Sequence, residues 1–265
     1  MHLILTGATG LVGTAVLDAM LKTKDISKIS VLSRRPVKFQ DDRINVIIHQ
    51  DFASYERDIL DKLEGAQSCV WALGISQTQV SKEEYIDITK AYPLAAAKAF
   101  QSLPPQTETK QPFHFVYVSG DGATFTPGRF TPFFGRIKGE TELALAEMQK
   151  ANPSSFRAST VRPGVVDWTG HAEVKPFLPD IGLFRSVAGV VMSHITKRVA
   201  PSKWSPTEPL GRFLTGMAMG MWDGALEGEG VQRLPSGFTV VDNNGIRRLI
   251  AGGLDEVTRH GRDVS

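Results

Sequence analysis

Leu3-Ile4-Leu5-Thr6-Gly7-Ala8-Thr9-Gly10-Leu11-Val12-Gly13 opens the chain with a short apolar run and three glycines spaced three apart. An amphipathic segment follows from Thr14 to Lys22. The order strand, tight turn, helix is the context in which such glycines carry a mechanism. Gly7 allows the turn, Gly10 lets a pyrophosphate approach the backbone, and Gly13 lets the helix pack close to the strand. The new helix offers unpaired N–H groups and the positive end of its dipole to phosphates. Thr6, Thr9, Leu11 and Val12 complete the expected cradle. An ordinary glycine-rich βα turn would look similar, but the apolar strand before it favours a dinucleotide site.

Beyond this turn, strands alternate with helical segments. Lys28–Ser33, Ile44–His49, Ser68–Leu73, Phe113–Ser119 and Phe156–Arg162 read as strands. Glu56–Leu63, Glu83–Ser102 (with a kink expected at Pro93) and the run from Phe133 or Phe134 to Lys150 read as helices. Pro104–Gln111 reads as a surface loop. The alternation predicts an α/β fold with a doubly wound, mostly parallel sheet of the Rossmann type, and a ligand at the carboxyl ends of the strands. Residues 1–165 form the expected dinucleotide-binding core. Residues 166–265 form a substrate lobe or lid, with one helix at Leu183–Thr196, and then a closing helix (Pro206–Trp222), a strand (Phe238–Val241) and a terminal helix (Asn243–Ala251) of the same continuous domain. The tail from Arg259 is expected to fray.

Bulk properties narrow the function classes. The 265 residues suit one α/β domain with a modest lobe. A net charge of +2 with no basic run argues against nucleic acid as partner. The single cysteine, Cys69, rules out an internal disulfide and a cysteine-rich zinc site, and its apolar surroundings predict a buried structural thiol; no metal site is expected. Strand one begins near residue 2, so neither a signal nor a transit peptide is expected, and Ile181–Ile195 is too short to span a bilayer. A cytoplasmic protein is the expectation.

The end of the second strand bears on the choice of dinucleotide. An acidic residue there would bind the adenosine ribose and repel a 2′-phosphate. The chain has Ser33, Arg34 and Arg35 instead, so NADP(H) is favoured over NAD(H). Asp51 and Phe52 are placed to touch the adenine edge, although Asp51 equally suits a helix cap. Ala72, Leu73 and Gly74 should line the path to the nicotinamide.

With these residues in view the chain resembles the atypical short-chain dehydrogenases/reductases, and more narrowly the Tat-interacting-protein-like oxidoreductases and related fungal proteins. The resemblance rests on Thr6–Gly13, Ser33-Arg34-Arg35, Leu73-Gly74, Val118–Ala123, Lys138–Glu142 and Arg162-Pro163-Gly164-Val165. It implies a catalytic serine near Ser119, with Asp121 close by. Lys138 would hold the nicotinamide ribose, and Pro163, Gly164 and Val165 would sit beside the cofactor. It also implies a tyrosine four residues before the lysine, where this chain has Phe134. That tyrosine gives a proton to the carbonyl oxygen in the family's mechanism, so Phe134 leaves cofactor binding intact and the proton donor unassigned; Ser119, Asp121, Lys138 or a water would have to supply it. His171 and His194 are outside candidates.

Phe125, Phe130, Phe133 and Phe134 lie between Thr124 and Phe134 and suggest an aromatic wall for a flat, apolar small-molecule substrate. Arg129 or Arg136 would hold an anionic group; Trp168 and Trp204 stand ready from the lobe, although burial in the core suits them slightly better. Val187–Met192 is apolar enough for the pocket or for a homodimer contact. Two function classes follow. One is an NADP(H)-dependent reductase of a hydrophobic, aromatic or polyketide-like carbonyl or quinone. The other is a non-redox isomerase, cyclase or dehydratase, or a cofactor-sensing binding protein, on the same scaffold.

Overall fold

The computed structural model describes residues 1–104, 111–178, 193 and 195–260, with side chains described as far as residue 252. Its centre is an eight-stranded sheet in the order β3-β2-β1-β4-β5-β6-β10-β9. The strands are β1 (His2–Thr6), β2 (Lys28–Ser33), β3 (Ile44–Ile48), β4 (Ser68–Trp71), β5 (Phe113–Val118), β6 (Phe156–Arg162), β9 (Val231–Arg233) and β10 (Thr239–Asp242). All pair in parallel except β9, which runs antiparallel to β10. The order reverses direction between β1 and β4, the switch point at which this class of sheet opens a crevice for a ligand. The expected α/β doubly wound sheet is thus present, and the C-terminal part contributes two of its strands.

The central strands are apolar on both faces because helices cover both. Successive side chains alternate, so Leu3 and Leu5 enter one core while Ile4 enters the other. The first core packs under α1 (Leu11–Lys22) and α6 (Thr207–Ala218) and holds Val16, Met20, Phe213 and Leu214. The second holds Trp71, Phe100, Phe115 and Phe156, under α2 (Arg57–Leu63), α4 (Tyr92–Phe100) and α5 (Phe133–Ala151). Gly211 lets α6 press on the Ala15 carbonyl of α1. Gly139 does the same for α5, where a Cβ would overlap the Thr124 carbonyl oxygen. Gly139→Ala should therefore overpack this contact at a cost of about 1–3 kcal/mol, lowering the thermal midpoint by roughly 5 °C. A thermal scan checks it; an unchanged midpoint would mean that the Thr124 backbone yields freely.

The kink at Pro93 takes a particular form. The helix begins as α3 (Lys82–Ile86), widens to a π turn over Asp87–Ala91 and continues as α4. Pro93 has no N–H for the Thr89 carbonyl four residues earlier. That carbonyl instead accepts from the Tyr117 hydroxyl at 3.0 Å and from the Thr141 hydroxyl at 3.1 Å. The chain's own proline thus creates an acceptor that ties the helix to β5 and α5.

Elsewhere the structure adjusts the expected bounds. The helix at Thr207 stops at Ala218 rather than Trp222, because Gly220 adopts φ +75° just beyond it. The last helix, α7, runs Asn243–His260, well past Ala251. A small parallel pair, β7 (Val165–Asp167) with β8 (Trp204–Pro206), appears where only loops were expected. The lobe helix expected at Leu183–Thr196 lies almost wholly outside the described residues, as do Val187–Met192, His194, most of the Pro104–Gln111 loop and the last five residues of the tail.

Candidate cofactor and substrate site

The glycine turn sits at the carboxyl end of β1. Gly7 has φ +71°, and any Cβ there would collide with the Ala72 carbonyl at the end of β4. A Cβ on Gly13 would overlap the Gly7 carbonyl oxygen. The Gly10 N–H closes the turn on Gly7 O at 2.8 Å, and the Thr14 hydroxyl donates back to Gly10 O at 2.6 Å. Thr6 is buried and its hydroxyl accepts from the Leu73 N–H at 3.2 Å, which locks the β1 end to the β4 end. Gly10 caps α1 with no side-chain hydrogen bond, and the first turn carries no acidic residue. Thr9, Leu11 and Val12 are only partly buried. The residues fit a pyrophosphate: a helix start free of its own anion, reached across glycines with no room for side chains.

At the next strand end, Ser33 is buried while Arg34 and Arg35 are exposed. The Ser33 hydroxyl accepts from the Arg35 N–H at 3.3 Å, and Gln50 Nε2 donates to the Arg34 carbonyl at 2.8 Å. The backbone of this turn is held while both guanidiniums stay in water. The neighbouring pair divides differently. Asp51 accepts from the Ala53 N–H at 2.9 Å and the Ser54 hydroxyl at 2.8 Å, which stabilise its charge and lower its pKa. The Phe52 side chain is core, edge-on to Trp71 with centroids 6.0 Å apart. It does not reach an adenine; only its backbone lies free for that role. Gly74 is open, and Ala72 and Leu73 are half-buried.

The chemical end lies where β5, β6 and α5 meet. Ser119 follows β5, is 6% exposed, and its hydroxyl has no hydrogen-bond partner. Lys138 Nζ donates to the Ser119 carbonyl at 2.8 Å and sits 5.8 Å from the Tyr117 ring centre. Desolvation pulls the Lys138 pKa down to about 8, against the pull of the Glu142 carboxylate. Glu142 is fully buried; it accepts from Arg162 Nε at 3.0 Å and from the Thr160 hydroxyl at 3.2 Å, so its charge is balanced and it anchors β6 to α5. Phe134 stands one turn before Lys138 on the same helix face. Its ring tip faces Gly122, whose φ of +91° curls the turn after Ser119 beneath it.

Two side chains outside the sequence expectations also reach this end. Gln77 Oε1 accepts from the Phe134 N–H at 3.0 Å and so caps the first turn of α5. Lys203 Nζ lies 2.7 Å from Asp121 Oδ2. Each stands more than fifty residues from its partner, and no spacing rule links them. Asp121 also donates its N–H to Pro163 O at 2.8 Å, and Gly164 N–H donates to the Ser205 hydroxyl at 2.8 Å as the chain enters β7 at Val165.

The aromatic run divides. Phe125 is half-buried with the Arg162 guanidinium 4.9 Å from its ring centre, and Phe133 packs on Tyr85 with centroids 5.7 Å apart. Phe130, by contrast, is 92% exposed, and Arg129 and Arg136 also face water. Phe130 is therefore not part of a wall in this conformation, because the loop tip that carries it lacks anything to pack on. Trp168 is half-buried; Trp204 donates to Asp167 at 2.8 Å. His171 is buried between the Asp18 carboxylate and the Thr207 hydroxyl, 3.1 Å from each, and is thus tied to α1 and α6. Cys69 is fully buried, and burial pushes its thiol pKa up. Among the described residues no group of His, Cys, Asp and Glu could hold a metal, and no helix is long and apolar enough to cross a membrane.

No family model matches the chain. It is 41% identical over 157 residues to botcinic acid biosynthesis cluster B protein 16 of Botryotinia fuckeliana, covering 59% of this chain and 97% of that one. It is 35% identical over 216 residues to leucinostatins biosynthesis cluster protein T of Purpureocillium lilacinum, covering 72% and 75%. Among solved structures it superposes on the aldohexose dehydrogenase of Thermoplasma acidophilum with a TM-score of 0.64 and 14% identity, covering 92% and 93%. A short-chain dehydrogenase family protein of Francisella tularensis gives 0.60 and 15%, covering 93% and 98%. Those two likenesses establish the fold.

Proposed function

We propose that the chain, which belongs to one family with these two fungal biosynthesis-cluster proteins, is an atypical short-chain dehydrogenase/reductase and an NADP(H)-dependent reductase of a hydrophobic aromatic carbonyl or quinone. The observation that carries the reading is the buried Ser119 hydroxyl, left without a partner beside a Lys138 ammonium of depressed pKa. Other buried hydroxyls, Tyr55 and Thr215 among them, also lack a partner; Ser119 differs in standing beside Lys138 at the carboxyl edge of the sheet, where this class of sheet takes its ligand. The biosynthetic clusters named for the two relatives favour a natural-product intermediate as substrate.

The nicotinamide, when bound, supplies a hydride to the substrate carbon. The rest belongs to the chain. The first turn of α1 would hold the pyrophosphate, and Arg34 and Arg35 would pair with the 2′-phosphate. Lys138 has three N–H donors and uses one on Ser119 O, leaving two for the ribose and the substrate oxygen. With a pKa near 8 its ammonium is a competent acid at neutral pH, so Nζ gives the proton that a tyrosine gives elsewhere in the family. Ser119 Oγ donates to the same oxygen. Phe125, Phe133 and Phe134 exclude water around it.

Fluorescence titration tests the cofactor reading. Changing Arg34 and Arg35 together to alanine should weaken NADPH binding by about tenfold to a hundredfold and leave NADH binding unchanged. Equal losses for both, or none, would reject the 2′-phosphate assignment. One observation favours the second class: a phenylalanine at position 134 has no proton to give. NADPH bound at one equivalent but never oxidised across a panel of quinones and aromatic ketones would move the protein there.

A further inference from the structure

The Pro201–Lys203 turn is held unusually firmly for a loop. Asn243, at the start of α7, donates to the Ser202 and Trp204 carbonyls at 2.7 and 3.1 Å. Arg247 donates to the Pro201 carbonyl, and the Ser205 hydroxyl donates to Asn243 Oδ1. Gly164 closes the other side: a Cβ there would overlap the Lys203 carbonyl oxygen, so only glycine lets this turn lie against the end of β6. The effect is to aim one ammonium across the carboxyl edge of the sheet. Lys203 Nζ reaches Asp121 Oδ1 and Oδ2 at 2.8 and 2.7 Å, two residues past Ser119.

The pair is solvent-facing. The Lys203 and Asp121 side chains are 54% and 41% exposed. An ion pair so exposed contributes little to stability. The backbone clamp, with its buried Ser205 and Asn243, fixes where the Lys203 side chain starts, and Asp121 holds its ammonium at the sheet edge. Two neighbouring cations are engaged elsewhere, Arg162 on Glu142 and Lys90 on Glu140, and Lys138 is assigned to the ribose and the reacting oxygen. We infer that Lys203 is the anion-binding residue of the substrate site, and that the substrate carries a carboxylate, which displaces Asp121 from the ammonium on binding. The exchange is one carboxylate for another, nearly even in energy. The substrate wins it because giving up so exposed an ion pair costs little, while burial of its aromatic body on Phe125 and Phe133 supplies the driving force. In the free protein Asp121 acts as a stand-in that keeps Lys203 extended. This inference rests on the proposed aromatic substrate site.

Opposite signs from the two partners test it. Anthraquinone-2-carboxylate and anthraquinone-2-carboxamide are titrated onto the NADP⁺-saturated protein, which can neither reduce nor oxidise them. The wild type should prefer the carboxylate; Lys203→Met should cut that preference about tenfold, Lys203→Arg should retain most of it, and Asp121→Asn should raise it severalfold. A merely structural ion pair would leave the ratio unmoved or shift it in the same direction in both variants, and either result overturns the inference. If neither anthraquinone binds while NADP⁺ does, the substrate reading fails on its own. Benzoate titrated onto the protein, read by the NMR shift of the Lys203 side chain, then decides the anion site: a saturating shift that Asp121→Asn strengthens supports it, and no shift ends it.

Discussion

Phe134→Tyr should raise NADPH-dependent reduction of aromatic ketones by about tenfold, less than the 10²–10⁴ of a general acid supplied where none exists, because Lys138 already gives the proton. The geometry explains the size. The Phe134 ring already lies on the Lys138 face of α5, its tip against the glycine turn that follows Ser119. A hydroxyl added at Cζ enters a site with a lysine to lower its pKa and a serine hydroxyl that has no partner. The gain should be smaller for quinones, whose reduced anion is stable enough to need little help from an internal acid. Phe134→Leu serves as control, since it removes the ring without adding a proton and should raise nothing. Initial rates on a ketone and a quinone, side by side, give the comparison. If the tyrosine variant shows no gain on either, residue 134 is not the slot of the missing acid.

How much of this could be read in the sequence depends on the range of the interaction concerned. β2 and β6 appear at their expected bounds, and the glycine turn sits where Gly7, Gly10 and Gly13 require it. These are local matters: apolar runs of strand length and backbone positions with no space for a Cβ. Phe52 misled because the residue after a strand end looks available to a ligand, whereas its ring found Trp71 on β4, three strands along the sheet from β3. Phe130 misled for the converse reason, since a run of phenylalanines reads as one wall although the loop turns its tip outward. β9 was missed because Val231–Arg233 is mostly exposed and polar on an edge. Its signal was the turn Leu234-Pro235-Ser236-Gly237, closed from Gly237 N–H to Leu234 O with Gly237 at φ +82°. The Asp121–Lys203 and Phe134–Gln77 contacts had no local signal at all, for only the crossing of the lobe over the sheet brings the first pair together, and only the pairing of β4 with β5 the second.

Lys138→Met should be the most damaging single change to reduction, lowering the rate by about 10²–10³ by the loss of a general acid. It should also weaken NADPH binding, but by much less. Three results separate this from a structural defect. The wild-type rate should fall as pH rises through about 8, because the depressed ammonium then loses the proton it must give. Lys138→Arg should restore cofactor affinity without the rate, since a guanidinium holds a ribose hydroxyl but does not release a proton near neutrality. The third result concerns stability, and its sign runs against intuition. The folded pKa lies below the ordinary lysine value of 10.5, because burial disfavours the charged form. Folding at pH 7 therefore carries the full desolvation cost of a charged lysine, and that cost fades as pH rises from about 8 to about 10.5. Methionine has no charge to desolvate, so Lys138→Met should melt no lower than the wild type at pH 7 while being nearly inactive. A variant that instead melts well below the wild type would make Lys138 a structural residue, held for its bond to the Ser119 carbonyl. The proton would then have to come from elsewhere.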